Sequence, residues 1–85
     1  MASYLVRIPR SVEKHLNKIP LPVQNRLLTA LDKLNQDPSL GFKLKGKLAK
    51  YHKYRIGDYR ILYAFDTKAK TIDILAIEHR QGVYK

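Results

Sequence analysis

Residues 59–65 (YRILYAF) and 71–78 (TIDILAIE) read as strands that are apolar on both faces. Period-two alternation puts Ile61, Tyr63 and Phe65 on one side of the first, with Leu62 and Ala64 on the other. The second sets Ile72, Ile74 and Ala76 against Leu75 and Ile77. Strands of this kind need cover on two sides. One face is expected to carry helices. The other must be covered as well, or it forms an exposed patch that invites a partner. Asp66 to Lys70 is polar and predicts a hairpin loop between the two. Gly57 and Asp58 are a tight-turn signal that joins them to an earlier strand over 51–56. Successive hairpins make these three strands an antiparallel meander.

The helices that should cover the sheet lie upstream. Val23, Leu27, Ala30, Leu31 and Leu34 fall at i, i+4, i+7, i+8 and i+11, one apolar stripe, with Gln24, Arg26, Asp32 and Lys33 off it. Pro22 fits the first turn of that helix, where a missing N–H costs nothing. A shorter helix carrying Val12, Leu16 and Ile19 precedes it, with Ser11 as its expected cap and Pro20 and Pro22 as its stop. Pro9 ends a first strand over 3–8, and residues 35–41, with Pro38 and Gly41, read as a loop. The expected fold is α+β: a small β-α-α-β-β-β domain over residues 1–85, with a mainly antiparallel sheet and a helical hairpin packed on one face. A chain of 85 residues holds one modest core, which excludes a large enzyme with a separate cofactor domain.

Charge narrows the partner. Lys plus Arg number 17 and Asp plus Glu 7, a formal net charge of +10. Such a field favours a polyanion. There is no cysteine, which excludes disulfides, thiolate catalysis and Cys-ligated metal. No charged and then apolar leader is evident, and apolar runs fall short of the ~20 residues that cross a bilayer, so a soluble, cytoplasmic protein is expected. The cations concentrate at Lys43, Lys45, Lys47, Lys50, Lys53, Arg55 and Arg60, opposed only by Asp58 and interleaved with Tyr51, Tyr54 and Tyr59. Lys and Arg pair with phosphates, and unstacked bases lie on rings, so the pattern suits RNA. Alternation puts Tyr51, Lys53 and Arg55 on one strand face, a cationic row that a core cannot use. Arg60 opens its strand on the face of Leu62 and Ala64, where the bland alternative is an ion pair with Asp58 or Glu78. His15 reads as surface, His52 as structural or exposed, and His79 as alternating away from Arg80. No HExxH-type spacing, carboxylate pair or Gly-rich phosphate loop is present, so no metal or other cofactor is expected.

The block LKGKLAKYHKYRIGDYRILYAF, followed by ILAIEHRQGVYK, resembles the RelE/ParE superfamily of type II toxin–antitoxin toxins. The shared features are an L-x-G before a basic strand, the YRIGDYRILY hairpin, and a late strand ending in His-Arg with a Tyr soon after. The resemblance covers essentially the whole chain. It is strongest to the RelE-like branch, which implies a metal-independent, ribosome-dependent endoribonuclease that cuts mRNA in the A site by attack of the 2′-OH. ParE-type gyrase inhibitors share the hairpin, and a basic RNA-binding domain without catalysis is a third reading. Carried over by position, the implied catalytic residues are Lys53, Arg60, Arg80 and Tyr84. Lys45 and Arg55 match further basic positions, and with Lys47, Lys50, Tyr51 and His52 they make up the expected RNA-binding set. Where the archetype has a second lysine this chain has Tyr51, or His52 in another register, so the resemblance alone does not assign the general base. The implied partners are an acidic, RelB-like antitoxin that folds across the basic face, mRNA and the ribosomal A site.

Overall fold

The computed structural model describes residues 4–79, the side chain of Leu48 excepted. The chain runs β1 (Leu5–Arg7), α1 (Arg10–Asn17), α2 (Leu21–Gln36), β2 (Phe42–Lys43), β3 (His52–Ile56), β4 (Tyr59–Asp66) and β5 (Thr71–His79). Pro9, at φ −61° and ψ 153°, holds the N-cap position of α1 without a side-chain cap bond. Ser11 therefore lies inside the helix rather than capping it, because the proline already fixes an extended entry one residue earlier. The helix also stops before Ile19. The N–H groups of Lys18 and Ile19 donate to His15 O and Leu16 O, a tightened last turn that still returns Ile19 to the core. Pro22 sits in the first turn of α2 as expected. Gln24 Nε2 donates to Leu16 O at 2.9 Å and ties the two helices together.

The helices cover one face of a five-stranded sheet of order β1-β5-β4-β3-β2. β1 pairs in parallel with β5, and the remaining pairs are antiparallel. Val12, Leu16 and Ile19 meet Leu27, Ala30, Leu31 and Leu34 over Ile61, Tyr63, Ile72, Ile74 and Ile77. Each of these side chains is buried, and together they form the core of the described residues. Among the described residues no helix is long and apolar enough to cross a membrane.

Two further features depart from the sequence expectation. A two-residue strand, β2, adds an edge beyond β3, with Phe42 opposite Lys53 and Lys43 opposite His52. Local pattern gave no sign of it, because its position is set from a distance. The Tyr63 hydroxyl donates to Pro38 O and accepts from Gly41 N–H, which fixes the chain just before Phe42. The second departure is a bulge. Leu62 pairs with Ala76 but Tyr63 with Ile74, so Leu75 is an extra residue in β5. Strict alternation placed Ala76 with Ile72 and Ile74, and Ile77 on the far side. The bulge reverses the parity, so Ile77 is buried with Ile72 and Ile74.

Candidate nucleic-acid interface

Directly opposed residues in a sheet point to the same side. Tyr54 opposes Ile61 and His52 opposes Tyr63, so His52, Tyr54 and Ile56 share the helix-covered face. Lys53 and Arg55 therefore lie on the other face, as the alternation predicted. That face carries two cross-strand rows. One runs Phe42–Lys53–Leu62–Ala76, and the next runs Arg55–Arg60–Glu78. With strands about 4.7–4.9 Å apart, the lysine and both guanidinium groups occupy one small patch.

Arg55 faces Arg60 across the β3–β4 hairpin, and like charges so placed repel. Gly57, at φ 58°, makes the two-residue turn that locks this register. Glu78 offsets the repulsion. Its Oε1 lies 3.6 Å from Arg60 Nε, and the side chains are 23% and 46% exposed for Arg60 and Glu78. The expected carboxylate partner of Arg60 is thus Glu78 rather than Asp58. The contact is long and open to solvent, so it orients the guanidinium without sealing it away.

Lys45, Lys47 and Lys50 are exposed on the segment between β2 and β3. A bond from Leu44 N–H to Tyr51 O closes that segment, and Gly46, at φ 67°, permits its turn. The Lys50 ammonium lies 5.3 Å from the centroid of the half-buried Tyr51 ring. These cations flank the patch at the sheet edge. His52 does not join them. Its ring packs 4.9 Å from Phe65 and 5.5 Å from Tyr63, and its buried Nδ1 has no hydrogen-bond partner. Burial, and then the charge of Lys43, push its pKa below the ordinary imidazole value. His79 likewise turns to the helix side, with its ring 4.6 Å from that of Tyr59. Arg80 and Tyr84 lie outside the described residues. Phe42 was not foreseen. It is 72% exposed, opposite Lys53, and only the unpredicted β2 pairing reveals its place on this face.

A helical hairpin on one face of a mixed sheet, with a cationic patch on the other, defines a small α+β domain built to meet a polyanion. The sequence matches the family described as ParE toxin of type II toxin–antitoxin system, parDE, over residues 6–84, and the chain belongs to the RelE/ParE family of type II toxins. It is 31% identical over 84 residues to Toxin RelG of Mycobacterium tuberculosis, covering 96% of this chain and 97% of that protein. Among solved structures it is similar to the toxin–antitoxin complex RelBE2 of the same organism, with a TM-score of 0.82, 31% identity and coverage of 92% and 99% of the two chains. The archaeal RelE–RelB complex of Pyrococcus horikoshii gives a TM-score of 0.78 at 32% identity, with coverage of 92% and 96%.

Proposed function

We propose that this toxin is a ribosome-dependent mRNA endoribonuclease that inhibits translation by cutting mRNA in the A site. The observation that carries the reading is the strand register that gathers Lys53, Arg55 and Arg60 on the sheet face opposite the two helices. Cleavage by the RNA's own 2′-OH needs a base for that hydroxyl, charge stabilisation for the pentacovalent phosphorane, and a proton for the leaving 5′-oxygen. The oxygen–phosphorus bond to the 2′-oxygen forms as the bond to the 5′-oxygen breaks, leaving a 2′,3′-cyclic phosphate and a 5′-hydroxyl. In this reading Lys53 is the candidate base and Arg60 stabilises the phosphorane with its planar, permanently charged fork. Arg55, Lys45, Lys47 and Lys50 hold flanking phosphates. Arg80 and Tyr84, which follow β5 in the sequence, are assigned by family resemblance to charge stabilisation and to stacking or leaving-group protonation. The ribosome supplies orientation, an effect worth ~7–11 kcal/mol when geometry is near attack.

Primer-extension mapping of mRNA in a translation reaction tests the proposal. New 5′ ends should appear with the native chain and be lost with Arg60→Ala and with Arg80→Ala. Halted translation on intact mRNA would refute it. The ParE-type family match favours a second reading, inhibition of DNA gyrase. Double-strand breaks in a supercoiling assay without mRNA cleavage would select that one.

The neighbouring complexes contain RelB antitoxins, and this chain carries +10. The matching partner is an acidic antitoxin that folds across the toxin and masks the basic face. Salt-resistant co-purification with loss of toxicity is the expected result.

A further inference from the structure

We infer that Phe42 is the platform on which a base of the bound RNA stacks, beside the phosphate held by Lys53. The inference rests on the RNA reading above and adds a recognition residue to it. Phe42 is the most exposed large hydrophobic side chain among the described residues, at 72%. Burial therefore does not explain it. An edge strand normally avoids such a residue, because an exposed apolar edge invites association.

The chain nevertheless holds Phe42 firmly. Gly41, immediately before it, approaches so closely that an added Cβ would lie 2.6 Å from Tyr63 Oη and 2.9 Å from Lys53 O. The Tyr63 hydroxyl bonds both sides of that approach, at Pro38 O and Gly41 N–H. Two ladder pairs then align Phe42 with Lys53 and Lys43 with His52. The result is a ring fixed on the open face next to a cation and left bare.

The surroundings select the occupant. Lys53, Arg55 and Arg60 lie on the same face, and Lys45 and Lys47 are exposed just beyond the edge. An apolar protein segment would leave these charges unmatched. A single-stranded nucleotide answers both features, with its base on the ring and its phosphate on the lysine, one strand spacing of about 4.8 Å away.

The chain has no tryptophan, so Phe42→Trp introduces a single selective fluorophore. Titration with a single-stranded RNA oligonucleotide should quench its emission and be reversed by salt. Anisotropy of labelled RNA should show Phe42→Ala binding about 5- to 150-fold more weakly, the range that base–aromatic stacking spans, with an unchanged melting temperature. Phe42→Tyr and Phe42→Trp should restore affinity, and the same order should hold for mRNA cutting on the ribosome. If Phe42→Ala binds and cuts like the native chain while Arg60→Ala does not, RNA is the ligand and stacking is refuted. If Phe42→Ala loses affinity only for the antitoxin, the inference fails as well. Absence of both RNA binding and mRNA cuts by the native chain would overturn the RNA reading itself.

Discussion

Replacing Tyr63 by Phe removes one oxygen from the middle of the molecule and tests how β2 is held. Tyr63 is 0% exposed. Its hydroxyl donates to Pro38 O and accepts from Gly41 N–H at 3.0 Å. Burial above all raises its pKa, partly opposed by the Gly41 bond, so the hydroxyl remains a neutral donor throughout the physiological range. The ring stays packed in Tyr63→Phe, so the loss is confined to two bonds and to the carbonyl and amide left without partners. That cost is about 1–3 kcal/mol. In a domain of this size it corresponds to a drop of roughly 4–24 °C in melting temperature, at 4–8 °C per kcal/mol. Urea unfolding followed by circular dichroism should show the midpoint falling with the slope unchanged. Hydrogen exchange should show the largest loss of protection at Gly41 and in β2, because the tether acts there. Gly41→Ala attacks the same contact from the other side, by forcing a methyl against the hydroxyl and Lys53 O. Because the two changes share an oxygen, their combined cost should be smaller than the sum. A stability change under about 0.5 kcal/mol, the level of an unremarkable surface substitution, with β2 protection intact would refute the tether.

Three further outcomes follow from the same geometry. His52 has a folded-state pKa below its ordinary 6.5, so below that pH the unfolded chain binds more protons than the folded one. Stability should therefore fall as pH drops from about 6.5 toward the folded value, and urea midpoints between pH 8 and 5 should show a shallower acid slope in His52→Phe; parallel curves would count against it. Glu78→Gln removes the carboxylate beside Arg60, so RNA affinity should rise and its salt dependence steepen, while stability drops by less than about 1 kcal/mol as Arg55 and Arg60 repel; anisotropy titrations over a salt series decide this. Deleting Leu75 should leave a folded protein with a regular β4–β5 ladder, whereas deleting Ile77 should move Glu78 opposite Ile61 and abolish cooperative unfolding; equal damage from both deletions would refute the bulge.

The parts of the fold legible in the sequence are those fixed by neighbours in the chain. Prolines bound the helices, a 3.6-residue stripe marks α2, and the Gly57–Asp58 turn locks β3 on β4 without slippage. That is why alternation placed Lys53 and Arg55 on one face correctly, while the hairpin register adds Arg60 to them. What stayed hidden depends on distant contacts. The parallel pairing of β1 with β5 joins Leu5 to Thr71, and no local pattern encodes it. Strand β2 exists because Tyr63 reaches back to Pro38 and Gly41, so nothing local marked Phe42 as a strand residue. His52 sits one residue from Lys53 and shares none of its surroundings, a consequence of the two-residue period.

The parity reversal at Leu75 has an energetic cause that the sequence contains but does not display. A regular β5 would carry Ile72 and Ile74 on the core side and then direct Ala76 and Glu78 there as well. It would set Ala76 opposite Ile61, turn the Glu78 carboxylate to the core side opposite the half-buried Tyr59, and expose Ile77 on the open face. Burying an unpaired charge costs several kcal/mol or forces its protonation, and leaving a large aliphatic side chain in water forgoes about 1.5–3 kcal/mol. A bulge leaves one peptide unit out of the ladder, which costs about 1–3 kcal/mol if it is unsatisfied and less where water reaches it, as it can beside the exposed Leu75. The bulge is the cheaper solution, so the core takes Ile77 and the open face takes Glu78. This choice also sets the site's electrostatics. The same extra residue that completes the core brings Glu78 close enough to orient Arg60 opposite Arg55. Packing on one face of the sheet thereby fixes the charge pattern on the other.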